Sequence, residues 1–207
     1  MATILEEKFV LTHVGPGSAF EFGSGDNSFA NRFGKPITAI DLYNKPHDSH
    51  VEFLQQDVLS LTGRSWDNVI ALSSFEHAGI ETYHFLNKCS DETELETIAT
   101  KLVSLVSSSG RLLITVPFGT DGIYFVDKNG KNGTREEIPE PVWGFRTFEF
   151  DTLVKLFSSL TPVVSQAFKF TGQDYFNPDS WKEISVKDHS SCSNKNRGLL
   201  CIYFQKD

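Results

Sequence analysis

The sequence has little cysteine and no long apolar run. Its three cysteines, Cys89, Cys192 and Cys201, are odd in number and far apart, so they form neither a disulfide framework nor a Cys-x-x-Cys metal site. No apolar stretch approaches the roughly 18–20 residues of a membrane-spanning helix. Glu6 and Glu7 stand where a secretory signal would carry basic residues. We therefore expect a cytoplasmic protein with no membrane partner.

Basic residues are also scarce. Lysine and arginine total 19 against 27 acidic residues, which gives a net charge of −8. A nucleic-acid partner would need a basic surface, so the charge argues against one. The excess acid lies in residues 1–150, whereas residues 151–207 are nearly neutral. The length of 207 residues predicts a single domain.

Short apolar runs alternate with helix-like segments, which predicts β-α-β units and a mostly parallel sheet. Apolar spacing and capping residues predict three helices. They cover residues 31–33, 91–107 and 149–160. About seven strands are expected, at residues 18–22, 37–42, 51–55, 68–72, 111–116, 162–171 and 199–204. Residues 118–149 are rich in glycine and proline and predict an irregular excursion, a kind of loop that is usually functional or mobile.

A Gly-x-Gly turn follows the first predicted strand, at Gly23 and Gly25 in FEFGSGDNSF. Glycine allows a ligand to approach the main chain, and a following helix presents unpaired N–H groups. A plain tight turn between strand and helix explains the same residues. Asp41 ends the next strand, about 20 residues on, where a carboxylate can accept hydrogen bonds from ribose hydroxyls.

Asp57 ends the third predicted strand, in LQQDVLSL. There it can accept a hydrogen bond from an adenine amine while Val58 and Leu59 cover the ring. Both aspartates could also be ordinary turn or loop residues. Taken with the glycine turn, however, they lie at the carboxyl ends of successive strands, where open α/β sheets bind ligands.

These motifs resemble those of class I S-adenosylmethionine-dependent methyltransferases, in order and spacing over residues 18–120. The matching segments are EFGSG, AIDLY, QQDVL, WDNVIALSSFEHAG and GRLLITVPFG. The resemblance implies a Rossmann-like open twisted sheet of mostly parallel strands, with helices on both faces and the last strand antiparallel. It also implies S-adenosyl-L-methionine as cofactor. The implied cofactor-binding residues are Glu21, Gly23, Ser24, Gly25, Asp41, Leu42, Asp57, Val58 and Ser73.

Glu76 and His77 follow the fourth predicted strand and are the candidate catalytic residues. Methyl transfer is an in-line displacement, in which the protein orients the acceptor and removes a proton from a hydroxyl. A neutral imidazole suits that task at pH 7, so His77 is the candidate general base. Glu76 would orient the imidazole or bind acceptor hydroxyls. Alternatively, the pair only closes the loop.

Tyr124, Trp143 and Arg146 are the candidate substrate-binding residues. Sugar rings stack on aromatic side chains, and arginine holds phosphate or carboxylate. The same residues could instead attach their segment to the rest of the protein. The segments EHAG, VPFG and WGFRTF resemble a methyltransferase-like group associated with surface polysaccharide and sugar modification. The expected substrate is therefore a small molecule or a sugar.

Other interpretations stay open. Asp26 and Asn27 replace the small residue and glycine that are usual in the methyltransferase motif, which allows a non-catalytic binding protein. A nicotinamide-binding domain would need glycine at Ser28. His47 and His50 lack a convincing third metal ligand, so no metal is expected. Residues 1–17 leave little room for the N-terminal helical cap seen in many methyltransferases of this class. We therefore expect residues 118–149 to cover the bound substrate.

Overall fold

The computed structural model describes residues 4–25, 29, 33, 36–42, 51–80, 92–192 and 197–207. In chain order its helices and strands are α1 (Ile4–His13), β1 (Ala19–Phe22), β2 (Ile37–Asp41), β3 (Val51–Gln55), β4 (Trp66–Leu72), α2 (Glu92–Leu105), β5 (Val106–Phe118), β6 (Gly122–Val126), β7 (Asn132–Gly133), β8 (Trp143–Thr147), α3 (Phe150–Leu156), β9 (Thr161–Phe170), β10 (Trp181–Ile184) and β11 (Gly198–Gln205). Short 3₁₀ turns, Val58–Ser60 and Phe75–His77, follow β3 and β4.

The main sheet has the strand order β10-β9-β11-β5-β4-β1-β2-β3. The strands from β5 to β3 in this order run parallel, whereas β11 is antiparallel to both β5 and β9, and β10 is antiparallel to β9. The predicted open, mostly parallel sheet is confirmed. The sheet has eight strands where seven were expected, because β10 adds a strand at one edge.

Both faces of this sheet are covered, as predicted. Side chains alternate between faces along a strand, and β4 shows the consequence. Val69 and Ala71 pack in one core cluster with α2 and α3, while Ile70 and Leu72 pack in another with α1. The run Leu112–Val116 in β5 is buried throughout because it contributes to both clusters.

Helix α2 shows how local sequence produces the core. The side chains of Leu95, Ile98, Ala99, Leu102 and Leu105 are buried and recur every three or four residues. Acidic residues occupy its first turn, where they interact favourably with the positive end of the helix dipole. The predicted helix of residues 91–107 is thus confirmed with slightly shorter bounds.

The expectation of an irregular excursion at residues 118–149 was wrong. This segment forms a three-stranded antiparallel sheet with the order β7-β6-β8. The small sheet joins the main one at a bridge between Phe118 and Phe148, where Phe148 N–H donates to the Pro117 carbonyl at 3.0 Å. Glycine and proline lie mainly in the long connection between β6 and β8, so their number obscured the strands.

Two further expectations need correction. Residues 1–17 were expected to leave little room for a helix, yet α1 covers Ile4–His13 and buries Phe9 and Val10. No strand was predicted between residues 171 and 199, yet β10 lies there and pairs with β9. Of the helix predicted at residues 31–33, only Phe33 lies among the described residues. His47, His50 and Cys89 lie outside them.

Candidate active site

The predicted cofactor residues meet at one edge of the main sheet. Strands β4, β1, β2 and β3 are neighbours and parallel, so their carboxyl ends lie side by side. The chain passes outward from β1 to β2 and β3 on one side, and from β4 to β5 on the other. The point between β1 and β4 is therefore the topological switch point, where sheets of this kind bind ligands.

The glycine turn is shaped by close packing at this switch point. Gly23 has a φ of 68°, and a Cβ on it would lie 2.6 Å from the Ser74 Cβ. Only glycine fits there, because the positive φ and the close contact with Ser74 both exclude a side chain. Gly25 also has a positive φ, 58°, but a Cβ on it would meet no described atom within 4 Å. Among the described residues, nothing fills the space beside the Gly25 main chain.

Two acidic side chains organise this turn. The Glu21 carboxylate is 3% exposed and accepts a hydrogen bond from the Phe29 N–H at 2.9 Å. Asp41 accepts one from the Gly25 N–H at 3.0 Å. The N–H groups of Gly23 and Ser24 donate to the Ile40 carbonyl, which fastens the turn to β2. The acids of the motif therefore fix the main chain of the turn that was predicted to bind the cofactor.

The third strand end presents Asp57 and an apolar neighbour. Asp57 Oδ1 accepts a hydrogen bond from the Leu59 N–H at 2.9 Å and caps the 3₁₀ turn. The Val58 side chain is buried in the core, so only its main chain could reach a ligand. Leu59 is exposed, as is Leu42 beside Asp41. These two leucines provide apolar surface for a flat ring.

Ser73, at the end of β4, lies in the left-handed region with a φ of 45°. Its hydroxyl donates to Glu6 Oε1 of α1, and the Thr115 hydroxyl donates to the same oxygen at 2.8 Å. Glu6 is fully buried. Neither Glu6 nor Thr115 was predicted as a site residue. Nothing in ILEEKFVLTH distinguishes Glu6 from Glu7, and only the packing of α1 on the sheet reveals its position.

His77 is held by the small sheet. Its Nδ1 lies 2.7 Å from the Gly144 carbonyl of β8, and a carbonyl can only accept, so Nδ1 carries a hydrogen. Burial lowers the pKa of His77, which favours the neutral ring. The remaining nitrogen, Nε2, then carries the lone pair. The ring of Trp143 packs edge-on against the imidazole at 5.8 Å between centroids.

Glu76 is a buried acid beside this imidazole. Its residue exposure is 4%, and its Oε1 lies 3.9 Å from His77 Nε2, beyond hydrogen-bond range. Within the described part of the chain, Oε2 has no hydrogen-bond partner. Burial raises the pKa of Glu76 to about 8, and the charge of Glu6 contributes to the rise. Glu76 and His77 are therefore neighbours, both shifted toward their neutral forms.

The predicted substrate-binding residues separate onto two faces of the small sheet. The pairing of Tyr124 with Phe145 places these rings on the same face as Trp143, and the three form a continuous aromatic row. Arg146 lies on the opposite face. Its Nη1 contacts Glu92 Oε1 at 2.6 Å. The structure thus groups Tyr124 with Trp143 near His77 but does not place Arg146 with them.

The histidines and thiols elsewhere in the described part of the chain form no second centre of this kind. Across the described ranges, no cluster of three His, Cys, Asp or Glu side chains could hold a metal ion. Cys192 and Cys201 are buried thiols, and His189 lies 3.4 Å from Glu149. No helix in the same ranges is both long and apolar enough to span a membrane.

Solved structures with the same fold include S-adenosylmethionine-dependent methyltransferases. A 1,6-didemethyltoxoflavin-N1-methyltransferase from Burkholderia thailandensis, solved with S-adenosylhomocysteine, is 18% identical, with a TM-score of 0.61 over 99% of this chain and 78% of its own. A possible histamine N-methyltransferase from Thermotoga maritima is 14% identical, with a TM-score of 0.62. The match covers 100% of this chain and 90% of that protein. The N-methyltransferase NodS from Bradyrhizobium japonicum, in complex with S-adenosylhomocysteine, is 17% identical, with a TM-score of 0.51. The match covers 98% of this chain and 84% of that protein.

No protein-family model matches the sequence, and the comparison with curated proteins gave no match. The chain nevertheless has the fold of class I S-adenosylmethionine-dependent methyltransferases, as its motifs predicted.

Proposed function

We propose that the protein is a methyltransferase that uses S-adenosyl-L-methionine to methylate a small-molecule or sugar acceptor. The observation that carries the proposal is the alignment of Glu21, Gly23, Asp41 and Asp57 at adjacent strand ends, with His77 at the next one. In this proposal, Asp41 accepts hydrogen bonds from the ribose hydroxyls, and Asp57 accepts one from the adenine amine. No described residue fills the space beside Gly25, and the exposed side chains of Leu42 and Leu59 would contact a nucleoside bound there.

When bound, the cofactor would supply an activated methyl group on a sulfonium sulfur. The protein's task is then to orient the acceptor and remove its proton. The lone pair of His77 Nε2 is the proposed proton acceptor, since the Gly144 carbonyl holds the other nitrogen protonated. Glu76, adjacent to Nε2, would bind a polar group of the acceptor.

Two acceptor classes are supported by different observations. The aromatic row of Tyr124, Trp143 and Phe145 would stack against a sugar or another flat ring. An amine acceptor is supported by the neutral imidazole of His77, because its Nε2 could take the proton that an amine loses on methylation. The three similar proteins named above are, by name, N-methyltransferases or a possible one. A panel of substrates should therefore contain both classes.

The test compares two histidine variants. Radiolabelled methyl transfer from S-adenosylmethionine is measured with a panel of amines and sugars, and S-adenosylhomocysteine binding is measured by calorimetry. We expect His77→Ala to lower transfer by about 100-fold or more, which is typical for loss of a general base, without weakening cofactor binding. His189→Ala removes another partly exposed histidine that lies near a glutamate, and should change neither measurement.

The outcomes separate the proposal from its alternative. Cofactor binding without transfer to any acceptor would favour a non-catalytic methyltransferase-like binding protein. Transfer that survives His77→Ala would remove His77 from the reaction while leaving the methyltransferase activity intact.

A further inference from the structure

Glu6 brings a buried acid from α1 to the carboxyl edge of the main sheet. The residue is fully buried, although the same helix leaves Ile4 and Leu11 exposed. Glutamate is almost never fully buried unless it is paired, because removing a carboxylate from water is costly. An apolar residue would fill the position at lower cost, so the acid at Glu6 requires an explanation.

The partners of Glu6 lie at the carboxyl ends of β4 and β5. Its Oε1 atom accepts hydrogen bonds from the hydroxyls of Ser73 and Thr115. The Ser73 N–H in turn donates to the Thr115 hydroxyl at 3.1 Å and to the Thr115 carbonyl at 3.2 Å. Glu6, Ser73 and Thr115 thus form a closed ring of hydrogen bonds that joins α1 to two strands.

Ser73 needs this support because its backbone is strained. Its φ of 45° lies in the left-handed region. For a residue with a side chain, that conformation costs about 1–3 kcal/mol and persists only where surrounding contacts hold it. The turn Phe75–His77 begins two residues later. A change of φ at Ser73 would therefore redirect the turn and move the imidazole of His77.

The segment from Ser73 to His77 is anchored at both ends. At the first end, Glu6 accepts the hydrogen bond of the Ser73 hydroxyl. At the other end, the Gly144 carbonyl of β8 accepts from His77 Nδ1 at 2.7 Å. Between them, the Ser74 hydroxyl donates to the carbonyl at the end of β1 at 2.7 Å. The helix α1, the main sheet and the small sheet all hold this segment.

We propose that Glu6 is a positioning residue that orients the imidazole of His77 by holding the strained backbone of Ser73. It acts through Ser73 and does not touch the acceptor, because it is fully buried. Its effect on methyl transfer rests on the proposed function, in which His77 accepts the proton. Its effect on the position of His77 does not depend on that function.

The negative charge of Glu6 also acts on its surroundings. Burial raises the pKa values of Glu76, Tyr175 and Cys201, and the charge of Glu6 adds to each rise. These groups come from the turn after β4, from the segment between β9 and β10, and from β11. A test of the positioning role must therefore separate the hydrogen bonds of Glu6 from its charge.

Two substitutions make this separation. Glu6→Gln removes the charge but keeps an oxygen that can accept from the hydroxyls of Ser73 and Thr115, whereas Glu6→Ala removes both. The readout is the titration of the His77 ring followed by NMR on the whole protein, with its signal identified by its loss in His77→Ala. This measurement needs neither cofactor nor acceptor.

Burial lowers the pKa of His77 in the wild type. We expect Glu6→Ala to raise it toward the ordinary value, because a released turn exposes the ring to water. Glu6→Gln should leave the titration of His77 unchanged, since the hydrogen bonds survive. Glu7→Ala is the matched control, because it removes a partly exposed glutamate next to Glu6 in α1, and it should also leave the titration unchanged.

A second pair of variants keeps the test valid if Glu6→Ala fails to fold. Ser73→Ala and Ser73→Gly both remove the hydroxyl that binds Glu6, but only glycine adopts a positive φ without strain. Ser73→Ala should therefore raise the pKa of His77, and Ser73→Gly should raise it less. The inference is overturned if Glu6→Ala or Ser73→Ala folds with the wild-type titration. It is also overturned if Glu6→Gln shifts the titration as far as Glu6→Ala, because the charge would then be responsible.

Methyl transfer distinguishes this inference from the proposed function. With an acceptor found in the panel, Glu6→Ala should lower kcat by about tenfold or more with a smaller change in KM, because the proton acceptor is misplaced. Glu6→Gln should restore kcat. Absence of S-adenosylhomocysteine binding to the wild type would contradict the proposed function but not the role of Glu6, whereas an unchanged titration in Glu6→Ala contradicts that role alone.

Discussion

The acidic side chains along the carboxyl edge of the sheet are of two kinds. Glu21, Asp41 and Asp57 each accept a hydrogen bond from a main-chain N–H group of a turn or loop at this edge. Glu76, at the end of β4, has an oxygen that is buried and has no partner in the described part of the molecule. The first kind shapes the loops at which the proposed nucleoside would bind. The second is held in an unfavourable environment next to His77.

This difference is consistent with two roles for the acidic residues at this edge of the sheet, one structural and one in proton exchange. Carboxylates that fix loops need stable, satisfied positions, whereas a group that exchanges a proton benefits from a pKa near neutrality. Burial brings the pKa of Glu76 to about 8 and lowers that of His77. Three substitutions test whether the two kinds of acid differ as described, and the largest effect is expected at Glu76.

Glu76→Gln should remove a pH dependence of stability. The pKa of Glu76 is about 8 in the fold and 4.5 ordinarily, so between these values the folded protein keeps a proton that the unfolded chain loses. Its contribution to stability is complete below pH 4.5 and is lost as the pH rises through 8. The variant should match the wild type near pH 5 and exceed its free energy of unfolding by about 4 kcal/mol at pH 9.

Urea denaturation from pH 5 to 9 measures this effect. Glu6 from α1, His77 on the same turn and Tyr175 are the titratable groups that influence Glu76 or respond to it. Glu21→Gln is the matched control, because it replaces a buried glutamate that accepts a main-chain hydrogen bond; it should lower stability by about 1 kcal/mol. Parallel curves for wild type and Glu76→Gln would refute the distinction.

Gly23→Ala tests the glycine turn that the first kind of acid organises. The new Cβ would combine a positive φ with an approach of 2.6 Å to Ser74, and should lower the free energy of unfolding by about 3 kcal/mol. Gly25→Ala has the same strain without a described neighbour, so it should lose only about 1 kcal/mol. Chemical denaturation compares the two, and equal losses would contradict the close packing at the switch point.

Asp57→Asn should give the smallest effect. The residue is exposed, and the amide oxygen can still cap the 3₁₀ turn, so the change mainly weakens an acceptor for an adenine amine. We expect S-adenosylhomocysteine affinity to fall about fivefold, or about 1 kcal/mol, with unchanged stability. Unchanged affinity would mean that Asp57 only caps the 3₁₀ turn and does not contact the cofactor.

The sequence predicted well which residues lie at the carboxyl ends of the parallel strands, because short-range patterns determine their positions. An acidic residue or a glycine that directly follows a strand lies at the carboxyl end of that strand. Because neighbouring parallel strands have their carboxyl ends side by side, such residues come close together in the fold. Asp41, Asp57 and the glycine turn could therefore be located before the structure was known. The same reasoning located His77 beyond β4.

The surroundings of His77 could not be predicted in the same way. Gly144 reaches the imidazole because β8 runs beside the turn of His77, and that depends on a sheet whose strands are separated by a long connection. Arg146 and Trp143 are close in sequence, but strand alternation places them on opposite faces. Glu6 contributes a buried acid from a helix that was not predicted.

The central claim is that this edge binds the nucleoside of S-adenosylmethionine. Calorimetry with S-adenosylhomocysteine tests it most directly, with Asp41→Ala as the variant and Asp179→Ala as an exposed acidic control. We predict one-to-one binding to the wild type and the control, weakened at least about 30-fold in Asp41→Ala through loss of hydrogen bonds to a charged acceptor. No binding to the wild type, or equal binding to all three proteins, would contradict the account.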